Sequence, residues 1–175
     1  NEINTPVKNQ KDCHTPMETI YPDNCGLVLV APYLPSLFKS LGIIENSQFK
    51  DLDSARHGVQ LLQYLADQTT DLPWHVLTLN RILCGVKPQT QDKTAFQISS
   101  REKELIDSLI SGMIQNWSAL GATSIQGFRE SFIQRCGTLT LEQDDCWHLK
   151  VEPRPFDMLL DSVPWSYSPL KLPWM

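Results

Sequence analysis

The stretch from Trp117 to Val151, WSALGATSIQGFRESFIQRCGTLTLEQDDCWHLKV, decides how this chain folds. Ser124 stands just before Ile125, Phe128, Phe132 and Ile133, which recur at helical spacing on one face. Its hydroxyl suits the cap position, where an oxygen accepts one of the orphan amides that open a helix. Gly137 is expected to stop this helix. The period then changes from 3.6 to 2. Leu139 and Leu141 alternate with Thr138, Thr140 and Glu142, and Trp147, Leu149 and Val151 alternate with Cys146, His148 and Lys150. Two alternating runs around the polar Gln143-Asp144-Asp145 predict a β-hairpin over 138–151 with one buried face. A lone hairpin is marginal in water, so this one must lie on the helices or pair with something else.

Upstream, Ser99-Ser100-Arg101-Glu102 is a capping box, and it opens the clearest helix in the chain. Leu105, Leu109, Met113, Trp117 and Leu120 make one stripe, and Ile106, Ile110 and Ile114 widen it. Gly121 is expected to end this helix after roughly 20 residues, about 30 Å. Val86–Ile98 reads as a polar loop. Before it, Trp74, Val76, Leu77, Leu79, Ile82 and Leu83 predict a helix that is apolar on more than one side. Asp71 would cap it, Pro73 suits its first turn, and Gly85 stops it. Asp51 or Asp53 caps an earlier helix that ends near Gln68. Ala55, Val59, Leu61, Leu62, Leu65 and Ala66 face inward there, and Arg56, Gln60, Gln63 and Asp67 lie mostly on the other side. Pro32 and Pro35 fit a first turn ahead of Leu34, Leu37, Phe38 and Leu41, and Gly42 suits the closing position. Gly26–Ala31 is a short apolar run that reads equally as a strand or as the lead-in to a helix.

The two ends differ from the middle. Residues 1–24 are polar, carry Pro6, Pro16 and Pro22, and read as a linker or arm. Residues 152–175 hold five prolines with Trp165, Tyr167 and Trp174, and Phe156–Leu160 allows one helical turn. The fold class is therefore mainly α. It is a compact bundle of about five helices, with an appended C-terminal hairpin and an extended aromatic tail, in one domain over 25–175.

A chain of 175 residues can bury a core without disulfide or metal staples. A net charge of −5 argues against nucleic acid, which needs a basic face, and against an anionic membrane surface. The longest apolar run, Leu27–Pro32, is far short of the about 20 residues of a membrane span. No leader pattern opens the sequence. A first residue of Asn1 reads as a piece of a longer parent. The five cysteines, with no C-x-x-C, fit reduced thiols in the cytosol.

Nucleophile elbows, phosphate loops, dinucleotide fingerprints and zinc-protease motifs are not found, so no catalytic or cofactor-binding residue is assigned. Cys136 with Cys146-x-His148 is the best metal candidate. Its one-residue gap and missing fourth ligand count against zinc, so no metal site is assigned. Cys13-His14 with Cys25 is weaker. Asp144 and Asp145 could form a carboxylate pair, but aspartate at a hairpin turn has a turn reason to be there. Together with the cysteines they define the alternative from another class, a small Cys/His metal-binding hydrolase. His57 and His75 read as core or partly buried, and Arg129 and Arg135 as solvated or paired with Glu130 and Glu142. Trp147, Trp165, Tyr167, Leu172 and Trp174 are the candidate protein-interface residues, because rigid aromatics dominate such contacts. The same tail could instead wrap back over the domain's own core. The hairpin edge offers a second way to engage a partner, by adding to its sheet.

Five stretches in order carry a family resemblance: Gly26–Gly42, His57–Gln68, Leu77–Val86, Trp117–Leu139 and Trp147–Met175. Through them the chain resembles the C-terminal domain of the tape measure proteins of contractile injection systems, the phage-tail-like particles. The resemblance implies a non-enzymatic scaffold in the lumen of the inner tube, anchored at the baseplate or spike end and helping to set tube length. It implies several copies around the particle axis, with tube, spike or baseplate proteins as partners. It implies assembly in the cytoplasm and then residence in a particle that can be released. A cap, plug or adaptor of the same particle is the alternative.

Overall fold

A computed structural model of the chain describes residues 18–87 and 96–175. Residues 1–17 of the expected arm, and the middle of the polar loop after Val86, lie outside the described residues. The elements in order are β1 (Glu18–Ile20), α1 (Leu27–Val30), α2 (Leu34–Ser40), β2 (Ile44–Glu45), β3 (Gln48–Phe49), α3 (Leu52–Asp67), α4 (Thr78–Leu83), α5 (Ser100–Asn116), α6 (Ile125–Phe128), β4 (Gly137–Leu141) and β5 (Trp147–Val151). Short 3-10 turns at Ala31–Tyr33, Trp74–Leu77, Ser118–Leu120 and Asp157–Ser162, and a π turn at Arg129–Ile133, complete the described elements. The protein is mainly α, with a small antiparallel sheet in the order β1-β4-β5.

Helix α3 is the centre. Asp51 Oδ1 accepts the Ser54 N–H at 2.7 Å to open it, and Gln68 closes it in the left-handed region at φ 62. Gln60 and Gln63, expected to face outward, are buried, because α3 is covered on almost every side. A buried amide must be hydrogen-bonded, and Gln63 is. Its Oε1 accepts from Asn24 Nδ2 at 3.2 Å and from Asn80 Nδ2 at 3.1 Å, and its Nε2 donates to Asp67 at 2.9 Å. That network ties the segment before α1 to α3 and α4. Asp71 does not cap the next helix. It sits at φ 61, and Pro73 leads directly into the 3-10 turn before α4.

The capping box of α5 is present: Ser99 Oγ accepts the Glu102 N–H, and Glu102 Oε2 accepts the Ser99 N–H at 2.7 Å. The helix ends at Asn116 rather than near Gly121. Trp117 leaves helical geometry at φ −102, ψ 80, and its indole N–H donates to Ser162 Oγ at 2.9 Å. The buried stripe is Ile106, Ile110, Met113, Ile114 and Trp117, with Leu105 and Leu109 at its margin. Ser124 caps α6 by accepting the Gly127 N–H at 2.9 Å. After α6 the backbone widens into the π turn and ends by Gln134, so Gly137 does not stop a helix. It begins β4 instead, where a Cβ would lie 2.7 Å from Cys25 Sγ.

The apolar run left open between strand and helix is helical, as α1. Its entry crosses the π turn at very short range. Cys25 N–H donates to Arg135 O at 2.9 Å and Gly26 N–H to Ile133 O at 3.0 Å. A Cβ on Gly26 would lie 1.7 Å from the Phe132 carbonyl oxygen. The hairpin forms with Leu139 opposite Leu149 and Leu141 opposite Trp147. It is not alone, since Ile20 pairs opposite Leu139 on the other side of β4. The last part of the expected linker is therefore a third strand.

Candidate interaction surface

The tail determines what surface this fold presents, and it returns along the helices. Helices that end in a packed core leave their last carbonyls without partners. In this protein, side chains from later in the sequence reach back to them. Arg129 Nε donates to Leu65 O at 2.9 Å and Gln134 Nε2 to Ala66 O at 2.9 Å, in the last turn of α3. Trp165 Nε1 donates to Leu29 O of α1, and Trp174 Nε1 to Leu83 O of α4, both at 2.9 Å. Arg154 donates to Glu130 O and Gln134 O around the π turn. The tail is thus stitched on by bonds that the helices need.

Among the described residues, the rings around Trp117 and the rings around Trp174 form two separate clusters. Trp117, which is fully buried, meets Phe132 at 4.9 Å and Trp165 at 5.9 Å, and Trp165 stands edge-on to Tyr33 at 5.2 Å. Trp174 meets Phe49 at 5.0 Å and Phe38 at 5.6 Å. Of the candidate interface residues, Leu172 is buried in the core, and Trp165, Tyr167 and Trp174 are half-buried against it. Trp147 lines a groove with Glu18, His75, Arg81, Ile82 and Met175. The five do not converge on one patch.

The charged candidates are placed differently from expectation. Arg129 and Arg135 are both buried. Their partners are Asp107, at 3.0 Å, and Asp157, at 2.7 Å, rather than Glu130 and Glu142. The Arg135 hydrogen bond, opposed by burial and joined by the Arg154 N–H, holds the Asp157 carboxyl below its usual range. His57 is partly buried and bonds the capping Glu102, whereas His75 is exposed. Arg81 stacks over Trp74 at 4.8 Å and donates to Lys87 O at 2.7 Å. Burial lowers the Arg81 pKa, and the Glu18 charge opposes that.

The hairpin keeps Cys136 apart from Cys146 and His148. Cys136 lies beside Glu152 at the open end, and Cys146 beside Glu142 at the turn. The three do not form one ligand set. Asp144 Oδ1 accepts the Cys146 N–H at 3.1 Å and Asp145 takes φ 59, so both aspartates make the turn. Glu142, Asp144 and His148 bring ligand atoms within 4.8 Å of one another on the surface. Cys13 and His14 lie outside the described residues. Cys25 is fully buried, chiefly for that reason its thiol is pushed up to about 12, and Cys84 is raised in the same way.

The fold is a mainly helical module clamped by its own tail. The chain belongs to the contractile injection system tape measure protein family, whose model matches residues 1–175. No curated protein and no solved structure matches it. A tape measure protein is a structural component, so the chain is part of a contractile injection system particle. No helix among the described residues is long and apolar enough to cross a membrane.

Proposed function

We propose that this domain is the C-terminal anchor of a tape measure protein, held in the tube lumen at the baseplate or spike end and helping to set tube length. The family match across residues 1–175 carries this reading. The stitched tail supports it. A domain whose C-terminal residues are bonded to the ends of α1 and α4 resists being pulled apart from that end. Tube, spike or baseplate proteins are the partners, with several copies around the axis, and the role is non-enzymatic. Assembly takes place in the cytoplasm, and the particle can then be released. Trp147, Trp165, Tyr167, Leu172 and Trp174 are the proposed contact residues, the last four by holding the tail's shape. Co-purification from assembling cells checks the anchor directly. A tagged domain should bring down baseplate or spike components. A domain that stays monomeric and recovers none of them contradicts the reading.

A further inference from the structure

Three arginines are buried among the described residues, and one of them has no acid. Arg129 is paired with Asp107 and Arg135 with Asp157. Arg81 is 5% exposed, yet no carboxylate stands within ion-pair distance of it among the described residues. Burying a charge without a counter-charge is costly. Arg81 belongs to the wall of the groove beside Trp147, which has a volume of about 430 Å³ and apolar sides formed by Ile82, Val86, Trp147 and Met175. Its Nη2 donates to Lys87 O at 2.7 Å, and Lys87 is itself a wall residue, so the guanidinium lies at the wall. Arg81 Nε is buried and meets no acceptor among the described residues. The same holds for the indole N–H of Trp74, over which the guanidinium stacks at 4.8 Å. Glu18, the one acid lining the groove, is exposed and acts on Arg81 only from a distance.

We propose that this groove receives a short segment of a partner protein in which one aspartate or glutamate is flanked by apolar residues. The acid follows from Arg81, which lacks the carboxylate that Arg129 and Arg135 already have. A carboxylate matches a single guanidinium in charge. A phosphoryl group brings nearly two charges, and Glu18 opposes the second. The apolar flanks follow from the walls. Met175 is 61% exposed in the groove, and Val76, beside the lining residue His75, is exposed as well. Exposed apolar surface next to an arginine and a tryptophan is the composition of a protein contact. The inference stands on the groove and does not depend on where in the particle the domain is held.

The test is selection from a library of random short peptides on the immobilised whole chain, followed by affinity measurement of the enriched peptides. An acidic position flanked by apolar ones should be enriched. Replacing that acid by its amide, or Arg81→Gln in the chain, should weaken binding at least about tenfold. Substitutions at exposed wall positions keep the test independent of any cost to folding. His75→Glu should weaken the same peptides about threefold, and Glu18→Gln should tighten them about threefold. No enrichment, enrichment of peptides without an acid, or affinity that ignores all of these substitutions overturns the proposal. Tight binding of hexanoate with no peptide enriched gives the groove to a small carboxylic acid and overturns it. Dimerisation that Arg81→Gln removes gives the groove to a second copy and overturns it too. Recovery of baseplate or spike components is a separate readout, so the anchor and the groove can fail independently.

Discussion

At the scale of single residues, the fold depends on close approaches and buried charges that tolerate little change. Gly26 is the sharpest case. Its missing Cβ lets α1 cross the π turn, and an alanine there would place a carbon 1.7 Å from a carbonyl oxygen. Backbone must move to relieve that contact, so Gly26→Ala should cost more than about 4 kcal/mol, measured as a collapse of the urea midpoint. Arg135 is buried against Asp157, which keeps the carboxyl in its charged form. A carboxyl whose folded pKa is depressed adds stability above its unfolded value. That stability is lost as pH falls through the folded value. Wild-type stability should therefore fall on the acid side of the usual value of 3.8, and Asp157→Asn should flatten that limb while costing about 2 kcal/mol near neutrality. Urea unfolding at a series of pH values reads both effects. The thiols give a third check. Cys25 and Cys84 are buried and raised, whereas Cys136 and Cys146 are exposed. Brief alkylation followed by peptide mass spectrometry should label Cys136 and Cys146 and spare Cys25 and Cys84.

At the scale of elements, local chemistry sets the helix starts and distant partners set several of the ends. Ser99, Asp51 and Ser124 cap helices because a short side-chain oxygen can satisfy a nearby amide, a purely local rule. Those starts, the closing residues Gly42 and Gln68, and the alternation of the hairpin are legible in the sequence. The end of α5 is not, because Trp117 leaves the helix where its indole bonds Ser162, 45 residues on. Burial of Arg129 and Arg135 is hidden for the same reason, as their acids lie 22 residues away in each case. Strand β1 shows no period of its own, since three residues borrow their order from β4. The small hairpin of β2 and β3 left one readable trace, Asn46-Ser47 at φ 50 and 63, a two-residue turn of the kind asparagine tolerates. Of the candidate interface, the residue types were legible, but the packing of Trp165 on Trp117, of Trp174 on Phe38 and Phe49, and of Trp147 in a groove was not. Two tests belong to this scale. Ser99→Ala should cost about 1 kcal/mol by opening the capping box. Trp174→Ala should cost about 3 kcal/mol, because it exposes Phe38 and Phe49 and leaves the Leu83 carbonyl unbonded. Chemical denaturation measures both.

At the scale of the whole molecule, the tail, the π turn and the helix ends form one bonded system. The Trp165 and Trp174 indoles each close a helix that begins far earlier in the chain, so the C-terminal segment cannot be loosened without uncapping α1 and α4. This makes mechanical sense of the proposed anchor, and the family places the chain in a contractile injection system particle. The most direct measurement of that claim is tube length by electron microscopy after fusing a helical segment ahead of residue 1. A ruler held at one end by this domain should lengthen the tube by about 1.5 Å per inserted residue, the rise of an α-helix. Tubes that assemble at unchanged length would contradict the anchor and leave the domain as a cap, plug or adaptor.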